Sequence, residues 1–209
     1  MKTIYVRFKE LYAKYGPAGL IFRILIKPYR ILRDKWRKKF NNYHYIFRLE
    51  PNAPRVPIPE GFTMEHFERI EDIPVSLLEQ LNDKFGIEEI RYNLKGVKYR
   101  GCVFCVGLIH NKPVCIQLFR YASYIPNWFI ELDPDDVVLL RGFVAPEHRG
   151  KRLHSCMHQA IASLLYLQKM SIYTDISIHN APSLNSVEKS GFKRLCKKKA
   201  ITERWPAEL

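Results

Sequence analysis

The chain has 209 residues, which is enough for one medium-sized domain with a sizeable core and for an extension. Hydrophobic residues make up 47% of it, which argues against an intrinsically disordered protein. The formal net charge is +13, and residues 1–50 hold 13 Lys and Arg against 3 Asp and Glu. Most of the positive charge therefore belongs to the first quarter of the chain, and the two parts are expected to have different roles.

Residues 1–50 are predicted to form a basic, amphipathic, helical extension. Aromatic residues recur at offsets of three and four over residues 2–15, and a second helix, bent at Pro28, is expected over residues 20–40. The longest uncharged run there is far shorter than the roughly 20 residues that span a membrane. Two alternatives stay open: residues 1–40 lie on an anionic membrane surface, or they pack against protein. Nucleic acid is a less favoured partner, because no recognition module is visible.

Four prolines between residues 51 and 60 predict an extended linker, and a second domain is expected over residues 61–209. Alternation of polar and apolar residues predicts strands, and apolar residues at helical spacing predict helices. The first elements of this domain are a strand at 62–67, helices at 73–85 and 87–94, and a hairpin of apolar strands at 101–109 and 114–121.

A strand, a tight basic turn and a long helix are predicted between residues 136 and 170. Apolar residues after the turn recur at helical spacing and give the helix one apolar face: Leu153, Met157, Ala160, Ile161, Leu164 and Leu165. A glycine-containing turn between a strand and a helix aims backbone N–H groups at a bound anion. Since Arg149, Lys151 and Arg152 add positive charge, the sequence predicts a pyrophosphate site at this turn.

The turn sequence Val144-Ala145-Pro146-Glu147-His148-Arg149-Gly150-Lys151 resembles the acyl-CoA-binding motif of the GNAT superfamily of N-acetyltransferases. A second segment follows at the expected separation. It comprises a strand at 172–178, then Asn180 and Ser183, then Glu188-Lys189-Ser190-Gly191-Phe192 at the end of a short helix. This segment is similar to the second signature of the same superfamily. Either motif alone is a weak signal, whereas the two in order are a strong one.

The resemblance implies an α/β (mixed α+β) GNAT-type acyl-CoA N-acyltransferase fold, in which a bent mixed sheet is flanked by helices. It implies acetyl-CoA or another acyl-CoA as co-substrate, a small-molecule primary amine as acceptor, and no metal. Backbone at Phe143 and Val144 would pair with the pantetheine arm and polarise the thioester oxygen. Asn180 and Ser183 would line the other side of the cofactor. The pyrophosphate would be held by Arg149, Gly150, Lys151, Arg152, Leu153 and His154.

The chain departs from the superfamily pattern in three ways. Arg152 and His154 replace the two glycine or small positions of the phosphate-binding turn, so side-chain charge is expected to replace some close backbone contact. Val187 stands where many relatives carry a tyrosine general acid. Val138 stands at a common position of the general base.

Two residues remain as candidate catalytic bases. Asp136 has the same strand parity as Val138, and His179 lies beside Asn180. For both, an ordinary role is the favoured alternative: a solvated strand-end carboxylate and a loop histidine. Because a thiol has a pKa of roughly 8.5 and leaves well as a thiolate, the missing acid does not preclude activity.

These observations give the hypothesis of an N-acyltransferase, most simply an N-acetyltransferase, in which an amine attacks an acyl-CoA thioester directly. The basic extension suggests an amino sugar of a surface polysaccharide pathway as the acceptor. Two alternatives stay open. One is an N-acyl amino acid or homoserine lactone synthase that takes its acyl chain from acyl carrier protein. The other is a degenerate, non-catalytic GNAT-fold module for binding or membrane association.

Five cysteines, an odd number, and the lack of a recognisable signal sequence indicate a reducing compartment. The expected location is the cytoplasm, at the inner face of the membrane if the extension binds lipid. Cys102 and Cys105 are expected to face opposite sides of a strand, and no second pair completes a zinc site. No metal site is therefore predicted.

Overall fold

The computed structural model describes residues 42–50, 53, 56–166 and 170–200, together with positions 16 and 32. The chain divides between Asn42 and Tyr43 into two units, and the fold below is that of the second. The helices predicted over residues 2–15 and 20–40 lie outside the described residues.

Within the described residues, the second unit contains seven strands and four α-helices. The strands are β1 (Tyr43–Leu49), β2 (Phe62–Phe67), β3 (Cys102–Ile109), β4 (Lys112–Tyr121), β5 (Val137–Val144), β6 (Ile172–Ser177) and β7 (Phe192–Lys199). The helices are α1 (Val75–Phe85), α2 (Ile87–Val97), α3 (Leu153–Tyr166) and α4 (Ala181–Lys189). Every strand and helix predicted after residue 60 is confirmed, with shifts of a few residues at the ends.

The strands form one mixed sheet in the order β2-β3-β4-β5-β6-β1-β7. All neighbouring strands are antiparallel except β5 and β6, which are joined through α3 and run parallel. The mixed sheet and its flanking helices confirm the predicted fold class. The β3–β4 hairpin turns at His110 and Asn111, whose φ angles are 49° and 61°. Both values are positive, as a type I′ hairpin turn requires.

Strand β1 corrects one boundary in the sequence analysis, which left residues 43–49 in the helical extension. β1 pairs with both β6 and β7 and lies inside the sheet. Its alternating pattern places Tyr45, Phe47 and Leu49 on one apolar face, which is the period of a strand. The extension and the linker stay predictions for the residues that the structure leaves undescribed.

Helices cover both faces of the sheet. On one face, Leu153, Met157 and Ile161 of α3 are buried in an apolar cluster with the strands. On the opposite face, α1 and α2 bury a second cluster that includes Leu81 and Ile90. These two layers fix which side of each strand a side chain occupies. No helix among the described residues is long and apolar enough to cross a bilayer.

Candidate active site

Strands β5 and β6 separate after a short parallel ladder. The ladder covers three residue pairs and ends at Leu139 opposite Thr174. At this last pair the hydroxyl of Thr174 donates to the Leu139 carbonyl oxygen at 3.1 Å. Beyond it, β5 continues along β4, and β6 continues along β1. The opening between residues 140–144 and residues 175–177 is called the β5–β6 gap below.

A β-bulge lies in β5 directly beyond the end of the ladder. Leu140 and Arg141 of β5 lie opposite a single residue of β4, Leu118. Both side chains lie on the face of α1 and α2, because Leu140 packs against that apolar cluster and the Arg141 guanidinium carbon lies 3.4 Å from the ring centroid of Tyr92. The next residue, Gly142, is exposed in mid-strand. Bulges of this kind occur next to active sites, where they redirect side chains and end regular pairing.

The register of β5 shows which of its peptide groups face the gap. The Ala145 N–H donates to the Val114 carbonyl oxygen of β4 at 3.0 Å. Since peptide groups alternate along an antiparallel strand, those of Phe143 also face β4, and those of Gly142 and Val144 point away from it. The backbone groups that face the gap are therefore those of Gly142 and Val144, and of these the Val144 carbonyl oxygen accepts from Arg149. Phe143 and Val144 are the residues predicted from sequence for this role, and the geometry supports only Val144.

The basic turn follows the C-terminal end of β5 and is held there, at the open end of the gap, by side-chain contacts. The Nε of Arg149 donates to the Val144 carbonyl oxygen at 3.3 Å, and its guanidinium carbon lies 5.3 Å from the ring centroid of Phe143. Lys84 of α1 forms an ion pair with Glu147. The hydrogen bond from Lys84 lowers the pKa of the Glu147 carboxyl. These contacts hold one exposed cation, Arg149, beside the exposed edge of β5.

The rest of the turn contains two residues with positive φ before α3 begins. Gly150 has φ 80° and Arg152 has φ 59°, so Arg152 adopts the left-handed conformation that glycine favours. The Cys156 N–H donates to the Arg152 carbonyl oxygen at 3.0 Å, which begins α3. The N–H groups of the first helical turn have no carbonyl partner within the helix and lie at its positive end. Exposed side chains at Lys151 and Arg152 add charge there.

His154 points inward rather than toward a phosphate. A Cβ placed on Gly142 would lie 2.3 Å from its Nε2 and 2.2 Å from Oε1 of Gln117, so the two side chains cover Gly142 on the α3 face. Nε2 lies 3.0 Å from Oε1 of Gln117, and Nδ1 lies 3.3 Å from the hydroxyl of Ser186 on α4. Burial lowers the pKa of His154 to about 4. Only its backbone N–H remains suited to the anion-binding role that the sequence analysis gave this residue.

The hydrogen bonds of Gln117 assign the tautomer of His154. The Gln117 amide nitrogen donates to the carbonyl oxygens of Leu118 and Arg141, both at 3.0 Å. Its Oε1 is then the acceptor, so His154 carries its proton on Nε2 and accepts from Ser186 through Nδ1. The network joins β4, the bulge, α3 and α4 on the α3 face of the gap. A glutamine within the otherwise apolar run of β4 was the signal for it in the sequence.

The two residues proposed from sequence as bases lie in different places. Asp136 precedes β5 and is buried, where its carboxylate accepts from the backbone N–H groups of Asp133 and Ser171 at 2.9 and 3.2 Å. Burial raises its pKa. Asp136 comes before Gly142 by a stretch of strand about 20 Å long, at about 3.3 Å per residue. Its carboxylate therefore holds the backbone of two loops and does not face the gap. His179 is exposed in the turn after β6, the strand that lies across the gap from β5.

Asn180 and Ser183 lie together at the start of α4. Asn180 is the N-cap of this helix, and its Oδ1 accepts from the Ser183 N–H at 3.3 Å. This bond stabilises the first turn of α4 on the β6 side of the gap. Val138 and Val187 are buried in the core, so neither position supplies an ionisable group.

The cysteines of the described residues are all free thiols. Burial raises the pKa of Cys102 and of Cys115 to about 12, and it raises that of Cys105 further. These thiols stay protonated at neutral pH and pack as small apolar groups. In the part of the chain that the structure describes, no three His, Cys, Asp or Glu side chains come together as metal ligands would.

No protein-family model matches this chain, and no curated protein sequence matches it. Solved structures do match its fold. A GNAT-family acetyltransferase from Colwellia psychrerythraea superimposes with a TM-score of 0.51 at 10% identity, over 75% of this chain and 53% of that chain. A GNAT-family acetyltransferase from Novosphingobium aromaticivorans gives a TM-score of 0.50 at 12% identity, over 75% of this chain and 61% of that chain. This chain thus spans less than two thirds of the length of either.

A third match is AAC(6')-Ib in complex with ribostamycin and coenzyme A. It gives a TM-score of 0.50 at 20% identity, over 65% of this chain and 85% of that chain. Sequence identities this low establish the fold and leave activity to be argued from the residues. These matches, together with the mixed sheet whose β5 and β6 strands separate, show that this chain has the fold of the GNAT acetyltransferases.

Proposed function

We propose that the protein is an N-acyltransferase that takes an acyl group from acyl-CoA, most simply acetyl-CoA, and transfers it to a primary amine. The observation that carries the proposal is the β5–β6 gap with the cationic turn at its mouth. An extended pantetheine arm contains two amides, and the N–H and carbonyl of Gly142 and the N–H of Val144 lie on the exposed edge of β5. Arg149, Lys151 and Arg152 surround the helix end where the diphosphate of the carrier would lie.

The residues of this chain would act mainly by holding the reactants. Well-oriented intramolecular reactions gain roughly 7–11 kcal/mol from proximity alone. A backbone N–H of β5 next to the bulge would donate to the thioester oxygen, and one such donor is worth roughly 3–4 kcal/mol in other acyl-transfer sites. His154 bounds the gap on the α3 face, so the arm would run along the opposite, exposed side of Gly142.

The acceptor we favour is an amino sugar. AAC(6')-Ib, which has the same fold, was solved with ribostamycin and coenzyme A, and this supports an amino sugar as the acceptor. For this chain, the basic composition of residues 1–40 supports an acceptor attached to, or made at, an anionic membrane on the cytoplasmic side. Sedimentation of the full chain with anionic and neutral vesicles tests this point. Binding to anionic vesicles that high salt abolishes is expected, and equal sedimentation with both kinds would contradict it.

The experiment for the proposed activity measures the free thiol released from acetyl-CoA with a panel of amines: glucosamine, ribostamycin, spermidine and glycine. Mass spectrometry then identifies the acylated amine, and acyl carrier protein loaded with an acyl chain serves as the alternative donor. Amine-dependent release is expected with acetyl-CoA. Arg149→Ala should raise the KM for acetyl-CoA about tenfold or more, because a hydrogen bond to a charged group contributes about 1.5–3 kcal/mol.

Lys193→Ala is the matched control, since Lys193 is an exposed cation on the edge strand β7. Its KM should equal that of the unchanged protein. Binding of acetyl-CoA without turnover of any amine would indicate a non-catalytic module. If neither binding nor turnover is detected, the proposal is wrong.

A further inference from the structure

Arg141, in the bulge of β5, is a cation that lies on an aromatic ring and has no ion pair. Its guanidinium carbon lies 3.4 Å from the ring centroid of Tyr92 on α2, a separation at which two flat groups lie face to face. Both residues are exposed, Tyr92 to 52%. Stacking uses the flat face of the guanidinium and leaves the N–H donors in its plane to other partners. In the part of the chain that the structure describes, these donors make neither a hydrogen bond nor an ion pair.

One acid, Glu89, acts on Arg141 without pairing with it. Glu89 lies one helical turn before Tyr92 on the same side of α2, but its Oε1 accepts from Nδ2 of the buried Asn93 at 2.9 Å. Burial lowers the pKa of Arg141, and the charge of Glu89 opposes this only in part. Since an arginine still stays protonated at neutral pH, Arg141 is a cation that has lost hydration and gained no partner. Such a cation attracts an anion more strongly than a fully solvated one does.

Arg141 lies at the end of the gap that is away from the basic turn. It directly precedes Gly142, and consecutive Cα atoms are about 3.8 Å apart. β5 advances about 10 Å from Arg141 to Val144, and the turn with Arg149 begins after that. The proposed function places the diphosphate of the carrier at this turn and the pantetheine arm along β5. The thioester, at the far end of the arm, would therefore lie near Arg141.

Arg141 and Tyr92 are also the side chains that a second reactant would meet on the face of α1 and α2. On the β6 side of this face, Trp128 of the loop before β5 covers Tyr173, with ring centroids 5.8 Å apart. Tyr173 lies on this face because alternate residues of β6 pack with α3. Near the bulge, by contrast, Arg141 and Tyr92 are both exposed. An acceptor that reaches the thioester from this face would therefore contact them.

We infer that Arg141 binds an anionic group of the acceptor, so that the substrate is an amine that also carries a carboxylate or a phosphate. The inference rests on the proposed function and narrows it to acidic amines, for example an acidic amino sugar. The carrier has no negative charge at its thioester end, since its phosphates lie at the other end of the pantetheine arm. The charge that matches Arg141 therefore belongs to the acceptor. An arginine binds carboxylates and phosphates through two parallel hydrogen bonds, and the Tyr92 ring would hold the guanidinium in place for them.

The test compares three amines that share one reactive amino group. They are glucosamine, glucosamine phosphorylated at its primary hydroxyl, and muramic acid, which adds a carboxylate. Thiol release from acetyl-CoA gives kcat and KM for each, and calorimetry measures the binding of each to the protein saturated with CoA. We expect one of the acidic amines to be preferred to glucosamine about tenfold or more, because a hydrogen bond to a charged group contributes at least about that factor. The phosphate and the carboxylate show which anion the site takes.

Substitutions of Arg141 test whether this side chain causes the preference. Arg141→Gln should abolish it through KM and leave both acetyl-CoA binding and kcat/KM for glucosamine unchanged. Arg141→Lys keeps the charge but not the paired donors, so it should keep part of the preference. Arg141→Glu reverses the charge and should favour spermidine over the acidic amines, which a role in packing alone would not produce. Arg91→Gln is the matched control, since Arg91 is an exposed arginine of α2 that pairs with Glu88, and it should leave the preference unchanged.

The outcomes separate this inference from the proposed function. A preference that survives in Arg141→Gln, or equal affinity of the unchanged protein for all three amines, overturns the inference and leaves the transferase intact. Weaker acetyl-CoA binding in Arg141→Gln would assign the cation to the carrier, and an equal fall in kcat with every amine would assign it to the reacting thioester; either result overturns the inference. If acetyl-CoA binds and no amine is turned over, the preference measured by calorimetry decides. Absence of acetyl-CoA binding to the unchanged protein removes the proposed function and the inference with it.

Discussion

Substituting alanine for Gly142 tests whether His154 and Gln117 close the α3 face of the gap. The new Cβ would lie 2.2 Å from Oε1 of Gln117 and 2.3 Å from Nε2 of His154, and real Cβ contacts essentially never fall below 3.0 Å. Both atoms belong to a hydrogen-bonded network, so relief of the clash breaks the bond between them. A broken buried hydrogen bond costs about 1–3 kcal/mol. In a domain of this size, that corresponds to a fall in Tm of about 2–12 °C.

The assay is a double-mutant cycle measured by chemical denaturation. His154→Ala removes one of the two clashing atoms and the same hydrogen bond, so Gly142→Ala should cost less in that background. The two changes together should therefore be less destabilising than the sum of the single changes, with a coupling of about 0.5–3 kcal/mol. Strictly additive effects, or a Gly142→Ala protein as stable as the original, would show that His154 does not cover Gly142.

Three further predictions concern the basic turn and the buried histidines. Arg152→Gly should leave stability unchanged or raise it by up to about 1 kcal/mol, because the strain of a left-handed L-residue is removed while glycine adds unfolded-state entropy; a clear loss in thermal unfolding would contradict this. Arg149→Ala should weaken CoA binding about tenfold or more and reduce its dependence on salt in calorimetry, and unchanged affinity would refute the role of this cation. His154 has a folded pKa of about 4, below its ordinary 6.5, so its contribution of at most about 3 kcal/mol is complete above pH 6.5 and is lost as the pH falls toward 4. His154→Gln should reduce the dependence of the unfolding free energy on pH, measured by denaturation at several pH values. The pH dependence that remains should come from His158, whose pKa is also lowered by burial.

Local patterns were sufficient to predict the elements around the basic turn. The β3–β4 hairpin and the apolar face of α3 follow from alternation and helical spacing, which depend on neighbouring residues. The turn itself was recognisable because glycine and cations occur at fixed offsets. Its predicted helix start, close to Leu153, agrees with the structure.

Strand β1 and the hydrogen-bonded network around His154 depend on contacts between residues that are far apart in the sequence. β1 pairs with β6 and β7, which lie more than one hundred residues later in the chain, and the charge count grouped it with the extension. The inward orientation of His154 depends on Gln117 and Ser186, which come from two other elements. The hydrogen bond between His44 of β1 and Asp175 of β6 was not predicted for the same reason. A polar residue within an apolar strand was the available signal, but it does not identify its partner.

The central claim is that the exposed edge of β5 binds the pantetheine arm of a thioester carrier. The most direct measurement is a ¹⁵N NMR titration of the full chain with CoA. The amides of Gly142 and Val144 should shift and become protected from solvent exchange, together with amides of the Arg149–Arg152 turn, while those of the edge strand β7 stay unchanged. Saturation with CoA that leaves the Gly142 and Val144 amides unaffected, or no saturable shifts at all, would contradict the account.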